Sequence, residues 1–374
     1  MKDFSLRNDT KLLFRSDPSD DLVKLTAGKR VLFVYCGGSV KRNGCYADIR
    51  NAVRQGGRTL YEAGHSSRER ASSEAGIRMA VEHQIELVIG AGGASVMDCA
   101  KPIAFGARHE ADWWEYVEGK DPYGLERLSL ILLPTYPSSG SEYGLGADAA
   151  DPQSGVFGTA FGIAVDHAIL VPGYSLSLGK ELTEYTGLVT LVQLSASMLG
   201  DQNPISYDAG ISVIGNVQKA ARRLMNHPDD LNARGSDPVW RLHRHLRPAG
   251  IGKEENYSYD IYEVEFIPEA LFGVSYRKSL TTLFPRFLNV MANAHGADIR
   301  RYLEGAFGYT GDLVTSTDRL IDLFSELGAD MYFDGEVKEE QVRSLPVESQ
   351  LSMDQRIRMI RACMCNQGEY ALRS

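Results

Sequence analysis

The sequence predicts an α/β dinucleotide-binding domain over residues 1–178, followed by an all-α domain over residues 179–374. Three observations carry that prediction. Short apolar runs in the first half end in loops rich in Gly, Ser and Thr. From about Gly179 the apolar spacing changes to three and four, the period of buried helix faces. And 374 residues are too many for one simple core.

The elements follow in order. Residues 1–28 read as an extended arm, with a short strand over 9–14. Residues 30–35 are a buried-strand signal ending in Cys36-Gly37-Gly38-Ser39, and a helical pattern follows over 46–55. The run 85–90 reads as a parallel strand leading into a turn and a helix start. Gly90, Gly92 and Gly93 are expected to take positive φ and let a ligand approach the backbone. Ser95 is expected to cap the helix, whose first amides and positive dipole end would then make a phosphate seat. A strand–helix turn that merely needs glycine would read the same. Residues 128–134 form a fourth strand signal running into 135–142, and 167–172 a fifth. Buried strands alternating with helices imply a parallel sheet whose strand ends open on one edge. Three small-residue loops on that edge point to a dinucleotide. Gly37-Gly38-Ser39 does not fit the G-x-G-x-x-G fingerprint, so the ordinary Rossmann arrangement is excluded. Helices are expected over 181–199, 209–225, 239–246, 269–293, 299–307, 318–327 and 353–364, with the active site in a cleft between the halves.

Composition narrows the function. The net charge of −9 leaves no electrostatic footprint for nucleic acid or an anionic membrane. No apolar run is long enough to span a bilayer, and the first residues lack a secretory h-region. Five cysteines, at 36, 45, 99, 363 and 365, form neither a disulfide framework nor a zinc pattern. The expected home is the cytoplasm.

The stretches 7–11, 35–44, 92–101, 135–142 and 228–234 together resemble the iron-containing alcohol dehydrogenase family, in particular its NAD(P)H-dependent butanol dehydrogenase and aldehyde reductase branch. The resemblance implies the dehydroquinate synthase-like fold of that family and a homodimer acting on a small-molecule substrate. It carries cofactor contacts onto Gly37, Gly38, Ser39, Gly92, Gly93, Ser95, Asp98, Thr135 and Ser138. Family members that prefer NAD often have an acidic residue near the position of Ser39. Ser39 here, with Lys41 and Arg42 beside it, favours NADP, with NAD as the alternative.

The family's metal cage is what the sequence lacks. The resemblance places its Asp on Leu188 or Val189, its first His on Val192 or Gln193, and two further His on Tyr262 and Tyr276. No Asp or His occurs from 182 to 200, and no His between 246 and 294. No metal is therefore expected. The lysine expected near the nicotinamide falls on Val156, the third signature glycine is Ala94, an expected Asn is Gly144, and Pro102 predicts a helix kink. Tyr262 and Tyr276 are the candidate catalytic acids, with Arg277 or Lys278 placed to lower a phenol pKa. The same tyrosines could equally fill the space the imidazoles left. His243 and His245, two apart on a helix, point to different faces. The function expected is a metal-independent NADP-dependent reductase of a small carbonyl. The alternative is a catalytically silent member serving as a binding or assembly subunit.

Overall fold

The computed structural model describes residues 8–109, 112–120, 124–136, 140–201, 203–236 and 256–364. Two compact units divide the chain at Leu178 and Gly179.

The N-terminal unit is built on a six-stranded sheet. Its strands are β1 (Lys11–Phe14), β2 (Val31–Tyr35), β3 (Leu60–Ala63), β4 (Leu87–Gly92), β5 (Ser129–Pro134) and β8 (His167–Leu170), in the order β1-β8-β5-β4-β2-β3. Every pair is parallel. That is why β2 and β4 read as unbroken apolar runs: both faces are covered. Phe33, Ile89 and Ile131 pack on one side, against Leu22 of α1 (Ser19–Thr26) and Ile49 and Val53 of α3 (Cys45–Gln55). Leu32, Val88 and Leu130 pack on the other, against α5 (Ala94–Gly106), with Ala80 of α4 (Arg70–Glu82) in the same layer. A separate antiparallel hairpin pairs β6 (Ala147–Asp151) with β7 (Val156–Ala160).

The arm expected over 1–28 contains a helix. Its signals were short: Asp20 and Asp21 in the first turn and Lys24 in the last complement the helix dipole, and Leu22 is its one fully buried apolar side chain. The helix does not end at Pro102, since α5 continues through it to Gly106. Proline removes the bond to the Asp98 carbonyl, but α5 is buried from Val96 to Gly106 and packing holds it.

The C-terminal unit is helical where it is described. Its elements include α6 (Lys180–Met198), α7 (Pro204–Asn226), α8 (Leu231–Ser236), α9 (Ile261–Val264), α10 (Phe266–Phe272), α11 (Tyr276–Phe307), α12 (Leu313–Glu326), α13 (Glu339–Ser344) and α14 (Met353–Arg361). The single helix expected over 269–293 breaks at Gly273, whose φ of 64° caps α10 in the left-handed region. The separate helix expected over 299–307 is instead the end of α11, joined through a non-helical His295. The helix expected over 239–246, and with it His243 and His245, lies outside the described residues, as does Cys365.

Candidate functional site

The parallel register aligns the ends of three neighbouring strands. Tyr35 is level with Ala91, Ala91 with Leu133, and Gly92 with Pro134. The loops that follow β2, β4 and β5 therefore lie side by side on one edge. Thr135, buried, donates its amide to the Gly92 carbonyl at 2.9 Å and ties the third loop to the second.

Within the second loop the glycines divide their work. Gly92 has a φ of 158°, and an added Cβ would stand 3.0 Å from Val96. Gly90 keeps its strand conformation, and its need is for space. A Cβ there would be 2.7 Å from the Ala100 Cβ and 2.8 Å from Leu132 Cδ2, so glycine lets α5 press onto the sheet. Gly93, at φ −84°, needs no positive φ; it is the N-cap of α5, and no side chain caps it. This corrects the reading of Ser95, which is an exposed residue in the first helical turn. The consequence favours anion binding: no side chain caps the first-turn amides, and no acidic residue sits there. Gly37, at φ 64°, and Gly38 are exposed, and Ser39 opens the short helix α2 (Ser39–Arg42). Ser138 lies outside the described residues.

Asp98 turns its carboxylate inward. It is buried and accepts a hydrogen bond from Ser141 Oγ. Lys101, one turn on, is 0% exposed; its ammonium donates to the Gly144 carbonyl at 2.9 Å and to that of Gly146, and lies 3.9 Å from Asp98 Oδ1. Burial pushes the Asp98 carboxyl up to about 6, against the pull of Lys101. The pair clamps the 141–146 loop to α5. Gly144, where an Asn was expected, serves through its backbone.

Sequence reasoning missed a cluster beside the first loop. Tyr35 donates to Glu62 Oε2 at 2.8 Å and Tyr46 to Glu62 Oε1 at 2.9 Å. The Lys41 ammonium sits over both rings, 5.6 and 5.1 Å from their centroids. Burial, then the Glu62 bond, push the Tyr35 phenol up to about 12. Lys41 is thus engaged with aromatic faces. Arg42 differs: its Nη1 lies 2.8 Å from the place of a Gly38 Cβ, and no carboxylate among the described residues pairs with it. Tyr136 was also missed; its phenol oxygen, on the loop after β5, is buried without a hydrogen-bond partner. Only contacts across elements could have revealed these groups.

In the C-terminal unit, the positions to which the resemblance assigns metal ligands are filled otherwise. Leu188, Val189 and Val192 are buried in the apolar core on α6. Gln193 keeps a buried, unpartnered Oε1. Tyr262 on α9 packs at the edge of the same core, and Tyr276, 36% exposed, opens α11. Helix α9 packs on α11, and Ser279 Oγ binds the Glu265 carbonyl, so the two tyrosines lie on adjoining elements. Lys278 is paired with Asp330. Aliphatic, amide and phenol groups do not fit a divalent transition metal, and among the described residues no group of three His, Cys, Asp or Glu side chains could hold one.

Comparison with known proteins agrees with the fold. The profile of the family described as iron-containing alcohol dehydrogenase matches residues 9–169. A probable NADH-dependent butanol dehydrogenase 2 of Bacillus subtilis is 36% identical over 146 residues, which is 38% of this chain and 37% of that protein. The probable NADH-dependent butanol dehydrogenase 1 of the same organism is 24% identical over 92% of each chain. The crystal structure of NADH-dependent butanol dehydrogenase A from Thermotoga maritima superposes with a TM-score of 0.82 at 21% identity, covering 97% of this chain and 99% of that one.

Proposed function

We propose that this chain, which belongs to the iron-containing alcohol dehydrogenase family, is an oxidoreductase that reduces a small carbonyl compound with NADPH and without a divalent metal. The reading rests above all on a contrast: three loops rich in small residues stand aligned on one sheet edge, while the residues at the positions to which the resemblance assigns metal ligands are aliphatic, amide and phenolic. NADPH, when bound, supplies a hydride to the carbonyl carbon; the oxygen takes a proton, and the products are an alcohol and NADP⁺.

The chain's own residues then do the following. The first amides of α5 meet the pyrophosphate, and Gly92 and Gly93 keep the approach open. Ser39 and the unpaired Arg42 guanidinium receive the 2′-phosphate, while Lys41 stays on its tyrosines. A phenol, Tyr262 or Tyr276, donates the hydrogen bond that stabilises the developing oxyanion, the task a metal performs elsewhere. Among the described residues no helix is long and apolar enough to cross a membrane. β1 is an edge strand, which suits a homodimer.

The test is an NADPH fluorescence titration joined to turnover of short aldehydes in a chelator. The expected result is micromolar binding, with chelator-resistant turnover that falls at least about 100-fold in Tyr262→Phe or Tyr276→Phe. Failure to bind NADPH would defeat the reading. A second reading, a silent binding subunit, draws on Val156, an aliphatic residue 40% exposed on β7 where the resemblance expects lysine. Nucleotide binding with no turnover of any carbonyl would favour it.

A further inference from the structure

We propose that Arg277 is the seat of a carboxylate, so that the carbonyl compound reduced is an oxo-acid or the semialdehyde of a dicarboxylic acid. The inference rests on the oxidoreductase reading and narrows its substrate class.

Arg277 and Lys278 are adjacent cations in the first turn of α11, a helix of 32 residues, and that turn holds no acidic residue. Cations belong at the other end of a helix, because the dipole here is already positive. Lys278 is compensated by Asp330. Arg277 is not. Its Nε is sealed from solvent and has no hydrogen-bond partner, and no carboxylate among the described residues reaches its guanidinium. A half-buried guanidinium with an unmet donor is costly to keep unless something completes it.

The surroundings suit a small planar anion. Arg277 stays partly exposed, and so does Tyr276 beside it. The turn is held from behind: Thr281 Oγ1 binds the Arg277 carbonyl at 2.8 Å, Ser279 Oγ binds that of Glu265, and Ser275 caps the helix through the Lys278 amide. A guanidinium offers parallel N–H groups that match the two oxygens of a carboxylate, where a lysine would offer only a point charge.

The experiment uses the full chain. Reduction of glyoxylate and succinic semialdehyde by NADPH is compared with reduction of butanal, in the unaltered protein and in Arg277→Ala and Arg277→Lys. The expected result is a preference for the acids that collapses about 30-fold in Arg277→Ala, mostly through KM, with Arg277→Lys intermediate. The NADPH dissociation constant, measured in parallel, reports whether the nucleotide unit is intact. Acetate, which cannot react, separates a carboxylate seat from turnover: it should raise the unfolding midpoint of the unaltered protein and not of Arg277→Ala. A matching rise with phosphate alone would overturn the carboxylate assignment, as would equal kcat/KM for acids and butanal. If no carbonyl is reduced while acetate still stabilises through Arg277, the oxidoreductase reading fails and the seat stands.

Discussion

The glycine edge of the N-terminal unit and the positions on α6, α9 and α11 to which the family resemblance assigns metal ligands are built from different kinds of group. The edge is built from backbone: amides, carbonyls and positive-φ glycine line it, and Gly144 acts there through its carbonyl. The positions to which the resemblance assigns metal ligands would need particular side chains, and Leu188, Val192, Tyr262 and Tyr276 stand there instead. A site built from backbone tolerates sequence drift; a site built from imidazoles does not.

The largest effect expected on the retained side comes from Lys101. Lys101→Met leaves the Gly144 and Gly146 carbonyls unmet and Asp98 uncompensated, and should cost about 3–5 kcal/mol in denaturant unfolding. A loss below about 1 kcal/mol would mean that the clamp is ornamental. Gly90→Val comes next: its Cβ has no room between Ala100 and Leu132, and overpacking of this kind costs about 1–3 kcal/mol. Were α5 to shift without loss of stability or NADPH affinity, the backbone-built edge would be looser than described here.

Arg42→Ala sharpens the cofactor assignment. It should weaken NADPH by about tenfold relative to NADH, read from paired titrations. Lys41→Ala should change that ratio far less, because Lys41 faces the rings of Tyr35 and Tyr46. The smallest effect expected is a slope. The Asp98 carboxyl is raised in the folded chain, so the folded state holds its proton more tightly than the unfolded state between 3.8 and about 6. Stability contributed by that proton is present at the acid end and is lost as pH rises through the window. Asp98→Asn should flatten this part of the pH–stability profile; an unchanged slope would show that Asp98 ionises freely.

What could be read from the sequence follows the same division. β2, β4, β5 and β8 were legible because strands buried on both faces are continuous apolar runs. α6 and α7 were legible from their spacing of three and four. β3, α4 and the β6–β7 hairpin were not: Leu60–Ala63 has no fully buried residue, and Val156–Ala160 carries the exposed Val156 and Phe157. The small-residue loops were found through their glycines, but the inward turn of Asp98 and the Glu62 cluster depend on residues 16 to 43 positions apart. The capping role given to Ser95 failed because the N-cap of α5 is Gly93, two residues earlier, so Ser95 already lies inside the helix. Arg277 drew notice only as a neighbour of Tyr276; its significance lies in a missing partner, which a sequence does not display.

The account stands or falls on whether a cation resides among these aliphatic and phenolic groups. Elemental analysis by mass spectrometry, on protein incubated with Zn²⁺ and Fe²⁺ in the presence of NADPH and then desalted, decides it. The account predicts no transition metal retained in proportion to protein; one tightly held ion per chain would contradict it.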